Sequence, residues 1–293
     1  MGEQKIEGLV LKNYGGFYYV QDQQKNIYEC KLRGKIKGQV LAGDKVIASI
    51  FKDDKGILEK VLPRDNQLYR PKIANVDMVI IVMANDKPEP SLLLLDRLLL
   101  LAHYNNISPL ILLNKCDLTA NEKATMIKDY YPTVGFNFIM TSAIMRTGIN
   151  QLSEAIKNKI AVFAGPSGTG KSSLLNSLLG VDIKTQEVSR KIGRGKHTTR
   201  HVELYPLPLG GWIADTPGFN VLDMPPIKSQ DVTTYYPDFN QYALECQFSN
   251  CVHCKEKDCG IKRAVENGDV KEFRYQNYIS MLKEVKENER CYK

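Results

Sequence analysis

A glycine-rich segment at residues 165–172 constrains the fold of this chain more strongly than any other sequence feature. Its sequence, GPSGTGKS, matches the pattern G-x-x-x-x-G-K-[ST] between an apolar run, Ile160–Ala164, and a helix-like run at 173–179. In such a strand–loop–helix unit, the loop amides and the helix N-terminus bind phosphates. We therefore predict that Lys171 contacts the β- and γ-phosphates of a nucleotide and that Ser172 binds Mg²⁺. The predicted nucleotide contacts here are Gly165, Pro166, Ser167, Gly168, Thr169, Gly170, Lys171, Ser172 and Ser173.

Apolar runs alternate with helix-like stretches through residues 67–224, and this alternation is typical of a doubly wound α/β domain. The run at 76–83 is almost uninterrupted, as expected for a strand of a parallel sheet that is covered on both faces. Residues 91–103 have the pattern of a buried helix. Further strands are predicted at 110–113, 138–140, 160–164 and 212–214.

Residues 1–66 differ from that domain, because they contain five short apolar runs separated by polar or glycine-containing turns. This spacing predicts a small barrel or a β-sandwich. A basic run beside one turn has two interpretations, an RNA contact or a solvated hairpin; it consists of Lys31, Arg33, Lys35 and Lys37. On the first interpretation, Arg33 and Lys35 bind RNA.

Two motifs that follow predicted strands indicate a guanine site. In the NKCD motif at 114–117, the carboxylate of Asp117 can accept hydrogen bonds from guanine N1–H and N2–H₂ together, a donor pair that adenine lacks. Lys115 can lie along the base plane. In the TSA motif at 141–143, a backbone amide can bind the guanine O6. The predicted base contacts are Asn114, Lys115, Cys116, Asp117, Ser142 and Ala143.

The DTPG motif at 215–218 follows another apolar strand. We predict that Asp215 holds Mg²⁺ through a water molecule and that the amide of Gly218 contacts the γ-phosphate. In ordinary GTPases the phosphate loop precedes the DxxG, NKxD and SA motifs. Here NKCD and TSA precede the phosphate loop, so the sequence predicts a circularly permuted P-loop GTPase domain.

Between the phosphate loop and DTPG, residues 190–200 contain basic residues and no acidic residue. Thr199 is predicted to complete the Mg²⁺ shell when the γ-phosphate is present. Phe219 occupies the position of the water-orienting Gln of Ras-like enzymes, so His197 is the nearest candidate for positioning the attacking water. In the alternative interpretations, His197 only contacts RNA or protein and the basic residues are solvated. The predicted RNA contacts are Arg190, Lys191, Arg194, Lys196 and Arg200.

A cysteine-rich cluster lies at residues 246–259. Soft ligands at this spacing, in a reducing compartment, suit a closed tetrahedral Zn²⁺ site. Two ligand sets fit the spacing equally well. Both contain Cys246, Cys251 and Cys259, and the fourth ligand is either His253 or Cys254.

The composition limits the classes of protein to which the chain can belong. Hydrophobic residues make up 43% and charged residues 25% of the 293 residues, which excludes the disordered and fibrous classes. The net charge of +7 permits a polyanionic partner without requiring one. The N-terminus lacks a signal-peptide pattern, and no apolar run has the ~20 residues that span a bilayer. We therefore expect reduced thiols, no membrane partner and a cytoplasmic location.

Together these motifs closely resemble the RsgA/YjeQ family of bacterial circularly permuted GTPases, which depend on the small ribosomal subunit. The resemblance covers nearly the whole chain and rests on NKCD, GPSGTGKSSL, GRGKHTTRHVEL, DTPGF, C-x₄-C-x-H-x₅-C and the tail GDVKEFRYQNY. It implies a multidomain α/β protein with an N-terminal OB-fold β-barrel at 1–66. A central GTPase domain at 67–224 and a C-terminal helical zinc-binding domain at 225–293 would follow.

The resemblance also implies chemistry and partners. It implies hydrolysis of GTP to GDP and phosphate, stimulated by the 30S subunit during late maturation, with the nucleotide state controlling docking on 16S rRNA and release. It favours one structural Zn²⁺ held by Cys246, Cys251, His253 and Cys259, and it supports His197 as a catalytic residue. With Lys171 and Thr199 from the motifs above, His197 forms the predicted catalytic set. We expect a monomer that binds Mg²⁺ with GTP. A rival interpretation is a non-catalytic RNA-binding module that uses the nucleotide only as a structural ligand.

Overall fold

The structure, a computed structural model, describes residues 4–34, 36, 38–51, 53–69, 71–180, 202–215 and 224–291, without the side chains of Asp215 and Cys291. Several predicted site residues lie outside the described residues, namely Lys35, Arg190, Lys191, Arg194, Lys196, His197, Thr199, Arg200 and Gly218. Within the described ranges, no helix combines the length and the apolar character needed to cross a membrane.

The N-terminal strands form a closed five-stranded barrel, so the barrel is the correct one of the two predicted architectures. The strands are β1 (Gln4–Tyr14), β2 (Phe17–Asp22), β3 (Ile27–Leu32), β4 (Lys45–Ile50) and β5 (Lys55–Val61). Their order around the barrel is β1–β2–β3–β5–β4, and β3 runs parallel to β5. Because side chains alternate between the two faces of a strand, one apolar face fills the interior. That interior includes Val10, Val20, Cys30 and Leu58.

An ion pair holds the segment after the barrel in place. Arg64 donates from Nε to Asp44 Oδ1 at 2.6 Å and from Nη2 to Asp44 Oδ2 at 2.7 Å, and the Asp44 side chain is fully buried. A short hairpin of β6 (Gln67–Tyr69) and β7 (Lys72–Ala74) follows. The sequence pattern does not predict this hairpin, because strands of three residues have too few positions to show an alternation.

A six-stranded sheet forms the α/β part, as the alternation predicts. Its strands are β8 (Met78–Ala84), β9 (Ser108–Asn114), β10 (Phe138–Thr141), β11 (Ile160–Ala164), β12 (Glu203–Pro206) and β13 (Trp212–Asp215). Their order is β10–β9–β8–β11–β13–β12. The sequence pattern does not predict β12, which runs antiparallel to β13. Gly210 and Gly211, with φ of 93° and 88°, form the tight turn that returns the chain.

The helices of the α/β part are α1 (Leu92–Tyr104), α2 (Glu122–Tyr130), α3 (Ile149–Ala155) and α4 (Lys171–Leu179). The predicted helix at 91–103 is confirmed as α1. Ser91 is its N-cap, because the Ser91 hydroxyl accepts a hydrogen bond from the amide of Leu94 at 3.2 Å. The helix after the phosphate loop begins at Lys171, two residues before the start that the apolar pattern indicates.

The C-terminal part is helical, as predicted. Short 3₁₀ helices at Ser229–Tyr235 and Pro237–Phe239 precede α5 (Asn240–Ala243), α6 (Gly260–Glu266) and α7 (Glu272–Cys291). Apolar side chains at helical spacing form the buried face of α7. They are Tyr278, Met281, Leu282 and Val285, and they share one hydrophobic core with Phe239, Cys251 and Cys259.

The chain divides into two compact units. The first comprises Met1–Ile80, Ser142–Ala164 and Gly170–Val221, and the second comprises Ile81–Thr141, Gly165–Thr169 and Leu222–Lys293. In the first unit, Lys12 of the barrel pairs with Glu203 of β12 at 2.7 Å, and the Trp212 indole donates to Gln21 at 2.9 Å. The barrel therefore packs on the β12–β13 hairpin. The domain boundaries that the sequence indicates, 1–66, 67–224 and 225–293, stay a prediction.

In the second unit, a buried arginine joins the C-terminal helix to α1. Arg274 of α7 is 1% exposed; its Nη1 lies 2.6 Å from Asp96 of α1, and its Nη2 lies 2.8 Å from Asp238. The hydroxyl of Tyr131 and the carboxamide of Asn277 also donate to Asp96. A buried charge is tolerated only when it is paired and hydrogen-bonded, so this network fixes α7 against α1.

Replacing the arginine tests the network. Arg274→Met leaves two buried carboxylates without their counter-charge, so we expect the second unit to lose about 3–5 kcal/mol of stability. Hydrogen exchange measured on the folded protein should show faster exchange in both α1 and α7. The matched control is Arg290→Met, which removes an exposed arginine from the same helix. Unchanged protection of α1 and α7 from hydrogen exchange in Arg274→Met would show that the buried network does not hold these helices together.

Candidate nucleotide site and metal centre

The phosphate loop begins at Gly165, directly after β11, and its backbone requires glycine there. Gly165 has a φ of 122°, and a Cβ atom would lie 2.3 Å from the carbonyl oxygen of Val82. Gly170, with a φ of 94°, is the N-cap of α4 and supplies no side-chain hydrogen bond to the first turn. α4 therefore begins directly after the glycine-rich loop, and a helix N-terminus in this position is suited to phosphate binding.

The carboxamide of Asn114 connects the NKCD motif to the phosphate loop. Its Nδ2 donates to the carbonyl of Thr169 at 2.8 Å, and its Oδ1 accepts from the hydroxyl of Thr141 at 3.0 Å. The amide of Cys116 donates to the carbonyl of Thr141 at 3.0 Å. Asn114 is 1% exposed, so its carboxamide braces the ends of β9 and β10 against the loop.

The remaining NKCD residues, 115–117, form a turn in which only the side chain of Asp117 is exposed. Lys115 has a φ of 64°, and its Nζ donates to the carbonyl of Lys87. Burial raises the pKa of the Cys116 thiol, which therefore stays neutral. The side chain of Asp117 is exposed, so its carboxylate is accessible to a base.

Asn85 supports this turn, although its sequence position does not identify it as a site residue. Its amide donates to the carbonyl of Asn114 at 2.8 Å, and its Nδ2 donates to the carbonyl of Leu118 at 2.5 Å. Its own carbonyl accepts from the amide of Asn121 at 3.0 Å. The available sequence signal is a carboxamide directly after the fully buried strand β8. A polar residue at the carboxyl end of such a strand is a candidate for a site.

The predicted base contacts Ser142 and Ala143 lie in the first unit and are held by local hydrogen bonds. The amide of Ser142 donates to the carbonyl of Thr147 at 3.1 Å, and its hydroxyl accepts from the amide of Met145 at 3.1 Å. The hydroxyl of Ser177 on α4 lies within hydrogen-bond distance of two carbonyls, that of Ser173 at 3.0 Å and that of Ala143 at 3.3 Å. The TSA segment therefore contacts the helix that begins at the phosphate loop.

The structure brings together the cysteine and histidine set that the resemblance favours. The ligand atoms of Cys246, Cys251, His253 and Cys259 all lie within 4.8 Å of one another. His253 Nδ1 is 3.4 Å from the sulfurs of Cys246 and Cys259, and these two sulfurs are 3.9 Å apart. Cys254 is not a member of this group.

These separations match the edges of a small tetrahedron. Zn–S bonds of about 2.3 Å and Zn–N bonds of about 2.0 Å place sulfurs about 3.8 Å apart and sulfur and nitrogen about 3.5 Å apart. A disulfide would require sulfurs about 2.05 Å apart. The amide of Gly260 also points at the Cys246 sulfur, 3.3 Å away, as in a site that stabilises thiolate charge. The donor set therefore fits zinc.

Residues that the spacing does not single out hold the ligand loop. Glu256 accepts hydrogen bonds from the amides of Val252, Cys254 and Lys255 at 3.0, 2.8 and 2.9 Å. Burial acts to raise the pKa of Glu256, but these backbone bonds outweigh it and lower the pKa to about 2. The hydroxyl of Tyr275 on α7 donates to the carbonyl of His253 at 2.8 Å. The ligand loop is thereby attached to α7.

Burial also sets the protonation of the ligands themselves. It raises the pKa of Cys251 to about 12 and lowers the pKa of His253. Without a cation, the thiol is therefore protonated and the imidazole is neutral at pH 7. Metal binding by such a site releases thiol protons.

NKCD at the end of β9, then TSA at the end of β10, then a phosphate loop after β11 is the chain order of a circularly permuted P-loop GTPase. The RsgA GTPase family model matches residues 61–225, and the RsgA N-terminal domain model matches residues 7–58. The chain belongs to the RsgA GTPase family and is therefore a GTP-hydrolysing enzyme. This result rejects the non-catalytic interpretation.

Relatives and solved structures agree with this assignment over the full length. The chain is 46% identical over 290 residues to "Small ribosomal subunit biogenesis GTPase RsgA" of Carboxydothermus hydrogenoformans, covering 97% of this chain and 99% of the relative. It is 34% identical to YjeQ from Thermotoga maritima, with a TM-score of 0.83 over 96% of this chain and 99% of that one. It is 33% identical to YloQ, described as a circularly permuted GTPase, with a TM-score of 0.82 over 97% and 96%.

Two single substitutions test the metal centre. We expect His253→Ala to lose bound zinc and Cys254→Ala to retain it, because only the first side chain lies among the clustered donor atoms. Zinc per chain is measured by elemental analysis after gel filtration. Loss of zinc in Cys254→Ala alone would show that the fourth ligand is the neighbouring thiol.

Proposed function

We propose that this chain binds the small ribosomal subunit and assists its late maturation, with GTP hydrolysis stimulated by the subunit. The observation that carries the proposal is the full-length similarity to relatives named as small ribosomal subunit biogenesis GTPases. A barrel, a permuted GTPase core and a cysteine–histidine cluster occur in one chain of matching length. The GTP state controls docking on the subunit, and hydrolysis to GDP leads to release.

The guanine base is recognised by groups from the NKCD and TSA motifs. The carboxylate of Asp117 accepts from N1–H and N2–H₂, and Lys115 lies along the base. The amide of Ala143 donates to O6, with Ser142 shaping that turn. The exposed Asp117 side chain and the buried brace Asn114 support these roles. An adenine nucleotide would leave the carboxylate without its donor pair, which disfavours ATP.

The phosphates are held by the loop amides at 165–170, the N-terminus of α4 and the side chain of Lys171. Mg²⁺, when bound with GTP, neutralises charge on the β- and γ-phosphates. Oxygen donors suited to that ion are the hydroxyls of Ser172 and Thr199 and the carboxylate of Asp215. The amide of Gly218 binds the γ-phosphate, so the DTPG segment responds when hydrolysis removes that phosphate.

Hydrolysis proceeds by in-line attack of water on the γ-phosphorus. A bond forms between the water oxygen and phosphorus, the bond to the β–γ bridging oxygen breaks, and GDP leaves. Lys171 stabilises the charge that develops on the leaving oxygen. His197 orients the attacking water, because Phe219 has no group that can do so.

RNA contacts extend over the barrel and the basic segment before DTPG. The segment contributes Arg190, Lys191, Arg194, Lys196 and Arg200, and the barrel contributes Arg33 and Lys35. Arg33 forms an exposed ion pair with Glu59, and a phosphate group can compete for such a pair at low cost. One structural zinc ion maintains the C-terminal fold. The protein acts as a cytoplasmic monomer.

Base recognition is tested by Asp117→Asn. We expect GTP affinity to fall by about 100-fold and xanthine nucleotides to bind, because the amide can donate to the added oxygen of xanthine. Nucleotide affinities are measured by equilibrium titration with fluorescent analogues. Asp129→Asn, an exposed position on α2, is the matched control. Equal GTP affinity in Asp117→Asn would exclude the base-recognition model.

Water positioning is tested by His197→Ala. We expect the subunit-stimulated kcat to fall by about 100-fold while GTP affinity stays nearly constant, because the imidazole acts on the water and not on the nucleotide. Single-turnover phosphate release with purified small subunits provides the rate. His201→Ala, four residues later in the sequence, serves as the control. An unchanged rate in His197→Ala would reject the assignment.

A further inference from the structure

A cleft of about 350 Å³ lies in the first unit, between the barrel and the edge of the sheet where β11 and β13 begin. Residues 7–9 of β1 and 21–23 at the end of β2 line its barrel side. Its sheet side contains Ile160 and Trp212, the paired first residues of β11 and β13. The phosphate loop and the DTPG motif lie at the other ends of these two strands, so the nucleotide chemistry does not use the cleft.

The lining of the cleft is acidic, although the whole chain has a net charge of +7. Four carboxylates and one lysine line it, so the lining has a net charge of −3; they are Glu7, Asp22, Asp65, Asp77 and Lys45. Lys45 already pairs with Asp65, with Nζ 3.6 Å from Oδ2. The other three carboxylates form no ion pair within the part of the chain that the structure describes. Such a lining repels an RNA backbone and favours a cationic occupant.

Neutral donors orient two of these carboxylates without cancelling their charge. Oδ2 of Asp77 accepts a hydrogen bond from the amide of Ile160 at 2.7 Å. The carboxylate of Asp22 accepts from the amide of Asn26 at 2.8 Å and from the hydroxyl of Tyr28 at 3.1 Å. Both side chains are therefore positioned before a ligand arrives, which lowers the entropic cost of binding.

Gln21 adds a hydrogen-bond donor that has no acceptor in the described ranges. Val20 belongs to the barrel core, so the next side chain along β2 points out of the barrel and towards the cleft. Gln21 is 6% exposed, and its Oε1 accepts from the indole N–H of Trp212 at 2.9 Å. Its Nε2 donates to no described residue. Because buried amide groups are normally paired, we expect the occupant to supply an acceptor as well as positive charge.

Trp212 provides an aromatic surface in the same cleft. It is half-buried, and the hydrogen bond to Gln21 fixes the indole. A guanidinium group stacks on aromatic faces and binds carboxylates through paired N–H groups. Polyamines and divalent cations have neither the planar cation nor an acceptor for an amide N–H. An arginine residue in a peptide combines the guanidinium with a backbone carbonyl.

We propose that this cleft binds an arginine-containing segment of a partner protein. The guanidinium stacks on Trp212 and pairs with the carboxylates of Asp77 and Glu7, and a backbone carbonyl of the segment accepts from Gln21 Nε2. The inference goes beyond the proposed function, which assigns nucleotide and RNA contacts to basic surfaces, by assigning a protein contact to an acidic one.

Intrinsic fluorescence tests the proposal directly, because Trp212 is the only tryptophan in the sequence. The full-length, zinc-loaded protein is titrated with acetyl-Gly-Gly-Arg-Gly-Gly-amide and with the same peptide containing citrulline, the neutral isostere of arginine. We expect a saturable change in emission with the arginine peptide and an affinity about tenfold lower for the citrulline peptide, which lacks the charge. Equal affinities overturn the proposal. The absence of both an emission change and a heat of binding in calorimetry also overturns it.

Charge-neutralising variants test the carboxylates. Asp77→Asn keeps an oxygen that can accept from the amide of Ile160, and Glu7→Gln changes an exposed side chain. Each should weaken binding of the arginine peptide about threefold, as expected for a partly exposed charge pair. Glu154→Gln, an exposed position of α3 in the same unit and outside the cleft, is the matched control. Unchanged affinity in the double variant Glu7→Gln/Asp77→Asn overturns the proposal.

Competitors identify the occupant. At equal concentration and constant ionic strength, spermidine, magnesium chloride and a ten-nucleotide oligouridine should each displace the arginine peptide poorly. Displacement by spermidine would assign the cleft to a polyamine, displacement by magnesium would assign it to a metal ion, and displacement by oligouridine would assign it to RNA. Each of these three results overturns the proposal. Basal GTP hydrolysis of the double variant should equal that of the wild type.

Discussion

The buried carboxamide of Asn114 is the interaction on which the nucleotide site depends. It is the end residue of β9, and its two hydrogen bonds reach the phosphate loop at Thr169 and the end of β10 at Thr141. Both bonds are made in the interior, where leaving either partner unpaired would cost about 1–3 kcal/mol. One side chain therefore joins the NKCD turn, the end of β10 and the phosphate loop.

This arrangement explains why a permuted chain can keep the chemistry of a GTPase. The bonds made by Asn114 join residues separated by 55 and 27 positions, and they depend on where strands end in space. Changing the order in which strands are connected preserves them, provided that the parallel strands keep their carboxyl ends at one edge. Permutation also places the C-terminal segment directly after the DTPG motif.

The C-terminal segment is attached to the second unit by α7. Arg274 anchors this helix to Asp96 on α1, while the hydroxyl of Tyr275, one residue later, holds the carbonyl of His253. The ligand loop and α1 are therefore connected through two adjacent residues of one helix. Movement of the metal site relative to α1 would break a buried ion pair, so we expect these parts to move as one body.

The elements and the site were predictable to different extents. The strands β8, β9 and β11 are apolar along nearly their whole length, and the phosphate loop has obligatory glycines, so pattern alone indicates both. The hairpin of β6 and β7 and the strand β12 have too few residues for periodicity to appear.

Contacts between residues far apart in the chain could not be predicted from the sequence. Arg274 lies in a helical pattern that looks amphipathic, and only the fold reveals that Asp96 and Asp238 surround it. Asn85 and Glu256 form hydrogen bonds with backbone groups of loops. Any residue type supplies such backbone groups, so the sequence contains no motif that would reveal these contacts. The choice of His253 over Cys254 likewise depends on loop geometry, including the positive φ of His253.

The central proposal for this chain is that its GTP hydrolysis responds to the small ribosomal subunit. Phosphate release should be measured for the full-length protein with equal concentrations of purified 30S, 50S and 70S particles and without particles. We expect strong stimulation of phosphate release by 30S particles and much weaker stimulation by 50S particles. Equal rates with all particles, or no stimulation by 30S particles, would contradict it.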